Sequence, residues 1–120
     1  MISIDDFKKL EIKIGHILTA EKVPNSDKLL KLSVDFGFKP QANSDEQTTE
    51  HDVRQIVSGI SKYFSDPQDL VGKKCAFATN LEPRAIMGLE SQGMILAVSG
   101  DSFFSLLETS QDVAPGSAVK

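Results

Sequence analysis

Tryptophan is absent from these 120 residues, tyrosine and cysteine each occur once, and histidine occurs twice. A single thiol, Cys75, cannot close an internal disulfide, which suits a reducing setting, and a cytoplasmic location is expected. His16 and His51 lie in separate segments without ligand spacing, so no metal site is expected. Ser58 stands in V-S-G rather than G-x-S-x-G, no phosphate-cradling glycine loop is present, and no acid is singled out by its surroundings. Catalysis and a bound cofactor therefore find no support. No run approaches the roughly 18 apolar residues of a membrane helix. The opening MISIDDFKKL has two acids and no apolar centre, so neither a membrane partner nor a secretory signal is expected. Basic residues are not in excess, with 13 Lys and Arg against 17 Asp and Glu for a net charge of −4. Four of those acids, Asp45, Glu46, Glu50 and Asp52, stand together between Pro40 and Val53. Set aside, they leave 13 acids against 13 bases, a neutral body that can still carry a basic face.

What is present is the ordinary globular mix, 40% hydrophobic and 25% charged, in a length that fits one domain over residues 1–120. Ser3 with Asp6 three residues on resembles a capping box and predicts a short helix over 4–10. Ile12 and Ile14 then alternate with Glu11 and Lys13 until Gly15, which reads as a strand bent at the glycine. Turn formers gather in VPNSDK (Val23 to Lys28). Leu30, Leu32, Val34 and Phe36 follow, alternating with Lys31, Ser33 and Asp35 in the clearest strand of the sequence. The polar, acidic stretch from Pro40 to about Asp52, with His51 in it, is expected to be a mobile hairpin loop. RQIVSGI (Arg54 to Ile60) resumes the strand pattern, with Val53, Gln55 and Val57 on one face. Asp66 as cap, Pro67 and Gly72 predict a short helix plugging a barrel end. Lys74 to Thr79 and Met94 to Val98 read as two more strands, joined by a loop from Asn80 to Gly93. Five strands with a helix after the third give an all-β fold: a five-stranded OB-fold Greek-key barrel over about 11–98, with short helices and a C-terminal extension over about 99–120.

In that extension Phe103, Phe104, Leu106 and Leu107 put apolar groups on both faces of an extended segment. One cover is the barrel, and a second subunit is expected as the other, making these four residues a dimer interface and the chain a homodimer. Nucleic-acid binding is the chemistry left standing. Single-strand readers stack bases on exposed aromatics, and here most of the seven Phe occupy apolar-periodic positions. A reader of folded RNA shape needs instead a few cations aimed at phosphates and small polar groups. Lys28, Lys31, Arg54, Lys73, Lys74 and Arg84, with Asn80, Ser91 and Gln92, supply such a set.

Four segments read together, DFKKLEIKIGHI, VPNSDKLLKLSVDFG, RQIVSGI and LVGKKCAFATNLEPRAIMGLESQGMIL, resemble the tRNA-binding domain found at the C-terminus of many methionyl-tRNA synthetases and as free-standing dimeric tRNA-binding proteins. The resemblance runs from about Asp6 to the end of the chain. It implies an OB-fold that binds the outside corner of tRNA by shape and performs no chemistry, with tRNA as partner and a methionyl-tRNA synthetase as a possible host. The N-L-x-P-R-x-x-M-G-x-x-S-x-G-M pattern falls on Asn80, Leu81, Pro83, Arg84, Met87, Gly88, Ser91, Gly93 and Met94. The tRNA-facing set it implies is Lys28, Lys31, Arg54, Asn80, Arg84, Ser91 and Met94, with Arg84 ranked first because a guanidinium after Pro83 can fork onto a phosphate. Arg54 is expected beside Lys31 across the sheet. A chaperone associated with secretion shares the fold, so a protein-binding or chaperone-like module is the alternative. The sequence departs from the family pattern in the acidic stretch.

Overall fold

A computed structural model describes residues 1–39 and 50–120. Most of the expected acidic loop therefore lies outside the described residues. A five-stranded antiparallel sheet curls around the core in the order β3-β2-β1-β4-β7. Its strands are β1 (Ile12–Lys22), β2 (Leu30–Phe38), β3 (His51–Ser58), β4 (Lys74–Ala78) and β7 (Met94–Ile95). The remaining four strands form two hairpins, β5 (Arg84–Ile86) with β6 (Leu89–Ser91), and β8 (Ala97–Ser99) with β9 (Phe104–Leu106). The protein is all-β and matches the expected five-stranded OB plan, β7 packing back against β3 to curl the sheet toward closure.

The alternating residues of β2 supply the inner wall: Leu30, Leu32, Val34 and Phe36 are all buried. They meet Ile17, Ile56, Leu70, Phe77, Ile95 and Leu106 in one core. Phe36 and Phe77 pack edge to face with centroids 5.2 Å apart. Gly15 does not interrupt β1, which runs on to Lys22. A Cβ at Gly15 would lie 2.5 Å from Val34 and 2.7 Å from Phe36, so the glycine lets the sheet press closely on its own core. Past it, a β-bulge leaves Leu18 unmatched between the pairs Ile17 with Val34 and Thr19 with Ser33. That extra residue reverses the in-out parity and hides the rest of the strand from a simple alternation count.

Several elements differ from their expected extent. The first helix has its capping box, with Asp6 N donating to Ser3 Oγ at 3.1 Å and Ser3 N to Asp6 Oδ2 at 3.2 Å, yet spans only Ile4–Phe7. Three-residue bonds from Lys9 N to Asp6 O and Leu10 N to Phe7 O tighten and end it there. The helix expected at Pro67 is a 3-10 turn, Pro67–Leu70, capped by Asp66 and driving Leu70 into the core, and a shorter 3-10 turn, Ser61–Tyr63, precedes it. The expected loop from Asn80 to Gly93 is largely the β5–β6 hairpin, turned at Met87 (φ 50°) and Gly88 (φ 79°), both in the left-handed region of a two-residue turn. The strand expected over Met94 to Val98 breaks at Leu96 into β7 and β8, and Leu96 N donates to Ala76 O. His51 and Asp52, assigned to the loop by their polarity, belong to β3.

The C-terminal tail is woven into the sheet. Its residues 107–109 bond to β4, through Ala76 N to Leu107 O and Thr109 N to Lys74 O, both 2.9 Å. Its residues 116–119 bond to Ile12 and Ile14, along the stretch of β1 that β2 does not reach.

Candidate nucleic-acid interface

The outer faces of β1, β2 and β3 and the neighbouring hairpin form an open trough. Cross-strand partners point to the same side of a sheet, so its register defines the floor: Thr19 beside Ser33 beside Gln55, and Glu21 beside Lys31 beside Val57. One stretch, about 330 Å³, is lined by Thr19, Glu21, Lys31, Ser33 and Gln55 with Val53, Arg54 and Gln92. A second, about 430 Å³, runs on over Asp52, Thr79, Leu81 and Pro83 and shares Val53, Arg54 and Gln92 with the first. The two are therefore one continuous surface.

The hairpin is fastened to the free edge of β3 by side chains. Val57 N donates to Ser91 Oγ at 3.0 Å, and the same hydroxyl donates to Gly93 O at 3.0 Å. Gln55 N donates to Gln92 Oε1 at 3.0 Å, Gln92 N to Gln55 O at 2.8 Å, and Gln55 Nε2 to Glu90 O at 2.9 Å. Backbone groups that an edge strand would leave open are thus satisfied. In β5, Arg84 pairs directly with Ser91. The row Glu21, Lys31, Val57, Ser91, Arg84 then crosses the surface from β1 to β5, with steps of about 4.8 Å where strands are laddered.

The expected contact residues divide by what they touch. Arg84 is exposed, and no ion pair holds it among the described residues. Met94 is 46% exposed beside it, across a small cleft with Leu81 and Gly93. Lys31 lies in the trough with its ammonium 3.0 Å from Glu21 Oε1. Lys28 is exposed in the turn before β2, three residues before Lys31, its carbonyl accepting from Ser61 N at 3.0 Å.

The other three are turned inward or committed. Ser91 is 3% exposed, and its hydroxyl is spent on the hairpin clasp. Asn80 caps a distant segment: its amide donates to Lys9 O at 2.7 Å and its carbonyl accepts from Glu11 N at 2.8 Å. Arg54 is not beside Lys31, because Val57 takes that position and Arg54 stands opposite Val34 on the inner face. Its guanidinium lies 5.2 Å from the centre of the Phe36 ring, is forked onto Asp52 at 2.9–3.2 Å, and donates to Thr79 O at 2.6 Å. Lys73 and Lys74 are also elsewhere, the first paired with Glu108 at 3.0 Å and the second donating to the carbonyls of Gln111 and Val113. Both fasten the tail. Glu21 and Gln55 were not anticipated; continuing the alternation of β1 past the bulge is the signal that would have found the first.

Glu11 and Cys75 lie outside the trough. The Thr79 hydroxyl, donating to Glu11 Oε1 at 2.6 Å, holds that carboxyl below its ordinary value, and Lys13 at 3.6 Å adds to the effect. Burial in β4 pushes the Cys75 thiol up to about 12, with the charge of Glu108 adding to it. A thiol so hard to ionise is a core residue and not a nucleophile.

The surface formed by the two ends of the chain is of another kind. Ile4, Phe7, Leu10, Ile12 and Val119 line an apolar groove of about 490 Å³, and Met1 and Ile2 stand exposed nearby in sequence. In the C-terminal extension, Leu106 is buried in the chain's own core and Phe104 stacks on Tyr63 at 3.9 Å. Phe103 and Leu107, 58% and 42% exposed, are the two of the expected four that still face outward.

Residues 12–118 match the family model described as "Putative tRNA binding domain". The chain belongs to this tRNA-binding domain family. It is 48% identical over 120 residues to the methionine–tRNA ligase of Methanoregula boonei and 42% identical over 118 residues to that of Caldanaerobacter subterraneus subsp. tengcongensis. These alignments cover 100% and 98% of this family member but 16% of either ligase, so the chain spans a small part of the curated relatives it matches. Among solved structures, the MetRS related protein of Pyrococcus horikoshii superposes with a TM-score of 0.82 at 33% identity, covering 100% of this chain and 98% of that one. The chaperone CsaA of Bacillus anthracis superposes at 0.77 with 22% identity, covering 100% and 99%, a likeness of fold alone. Among the described residues no helix is long and apolar enough to cross a membrane.

Proposed function

We propose that this tRNA-binding domain is a non-catalytic, structure-specific tRNA-binding module, free-standing or appended to a methionyl-tRNA synthetase, that enhances tRNA capture in the cytoplasm. The observation that carries the reading is the row joining Lys31 to Arg84 across four strands, within a chain whose residues 12–118 match the family. Lys28, Lys31 and Arg84 contact phosphates. Met94 offers an apolar surface to a ribose or base edge. Arg54, with its donors already engaged, stiffens the trough wall, and Ser91 and Asn80 act as positioning residues: one holds the hairpin that carries Arg84, the other the N-terminal segment.

Contacts to phosphate fix register and shape without reading bases. Replacing Arg84 by Ala is therefore expected to weaken binding of many tRNAs alike, about tenfold, in a filter-binding assay with unfractionated tRNA. A loss confined to one tRNA would indicate base readout, and no loss would remove Arg84 from the site.

The second part of the reading is a symmetric homodimer joined through terminal segments, where Phe103, Leu107 and the groove of Ile4, Phe7 and Val119 leave apolar surface uncovered. The same groove is what a chaperone-like function would use, and CsaA shares the fold. A gel shift with unfractionated tRNA set against an unfolded client protein separates the two, retardation by the client alone favouring the chaperone.

A further inference from the structure

The trough that faces the proposed partner is not a bare cationic surface. Three of the cations that line it are each matched by an acid of the same chain, while Arg84 at its far side is not: Lys31 by Glu21 at 3.0 Å, Arg54 by Asp52 at 2.9 Å, and Lys39 by Glu50 at 3.2 Å. The pairs are built differently. Arg54 and Asp52 are each about one quarter exposed, and the arginine is held further by the Thr79 carbonyl, so that pair is fixed. Lys31 and Glu21 share one contact at 36% and 61% side-chain exposure, the geometry in which an ion pair is weak and easily exchanged. Glu21 has no structural duty besides this pair: its side chain makes no other hydrogen bond among the described residues, and it is exposed on the trough floor.

We infer that Glu21 is a built-in competitor for the phosphate position at Lys31 and sets the affinity of the trough for polyanions. The inference rests on the reading that this trough receives a polynucleotide. A phosphate reaching Lys31 must displace a carboxylate of the same charge, so an isolated phosphate gains little there. Uptake then depends on a polymer that engages Lys28 and Arg84 at the same time, which favours an anion whose spacing matches the row.

A double-mutant cycle tests the assignment. Wild type, Glu21→Gln, Lys31→Ala and the double variant are titrated with poly(U) and, separately, with unfractionated tRNA, and Asp101→Asn serves as an exposed charge control away from the trough. Glu21→Gln is expected to tighten poly(U) binding about two- to fivefold, the range an exposed ion pair spans. Its log-affinity against log-salt slope should steepen by about 0.7. The gain should vanish in the Lys31→Ala background and be absent in Asp101→Asn. No gain in Glu21→Gln, a gain that persists without Lys31, or an equal gain in Asp101→Asn overturns the assignment. If Glu21→Gln gains on poly(U) through Lys31 while wild type ignores tRNA, the competitor role stands and the tRNA reading falls.

Discussion

The trough and the terminal groove are both open surfaces, yet they are finished in opposite ways. In the trough polar groups are met by named side chains: the β3 edge by Ser91 and Gln92, the Thr79 carbonyl by Arg54, and Lys31 by Glu21. At the termini the backbone is equally well tied, by Asn80 onto Lys9 and Glu11 and by the tail onto Ile12 and Ile14, but the side chains presented outward are apolar. A polar surface with satisfied groups keeps its shape in water and can wait for a soluble, charged partner. An apolar one gains by being covered. The contrast teaches that, on the proposed reading, the two faces meet different partners and should fail separately.

Substitutions can break that separation or sharpen it. Ser91→Ala is expected to have the largest effect, about 1–3 kcal/mol of stability, because the buried Val57 N–H loses its acceptor. Thermal unfolding reads the loss, and tRNA affinity should fall with it as the hairpin loosens. Arg84→Ala should do the reverse. The side chain is exposed and unpaired among the described residues, so stability stays within about 0.5 kcal/mol while affinity drops by about 1.4 kcal/mol. Phe7→Ser should leave both stability and per-chain tRNA affinity nearly unchanged and lower the mass measured by sedimentation toward that of a monomer. A change in RNA affinity without a change in mass would mean the two faces are not separate.

The smallest effect concerns pH. Glu11 has a folded value below its unfolded one, so its contribution is complete above about 4.5 and is lost as pH falls through the folded value. Glu11→Gln should therefore flatten the acid side of the stability profile slightly and leave neutral pH alone. Alkylation offers a check on the core: Cys75, raised to about 12, should resist iodoacetamide at pH 8 until the chain unfolds.

Most of the fold was legible because its strands keep a strict period of two where they are buried on one side. β2 is the plainest case, every alternate residue from Leu30 to Phe36 being in the core. Legibility failed where a local event breaks the period. The bulge at Leu18 concealed the second half of β1 and with it Glu21. The β5–β6 hairpin was hidden because Met87 takes a left-handed turn position that sequence reserves for glycine or asparagine. The tail's pairing with β1 and β4 rests on contacts between residues far apart in the chain, which no local pattern announces. At the candidate site, sequence gave the residue types but not the direction of their side chains. Arg54 was expected beside Lys31, and only the register with Val34 places it on the inner face. Ser91 looked like a surface hydroxyl, and its place in the motif reflects the clasp it makes with β3.

The most direct test of the central claim is tRNA affinity measured as a function of salt concentration. Two net phosphate neutralisations, at Lys28 and Arg84 with Lys31 offset by Glu21, predict that log affinity falls linearly with log salt at a slope of about −1.4 to −1.8, using about −0.7 to −0.9 per contact. Binding that does not change with salt, or no binding at low salt, would contradict the account.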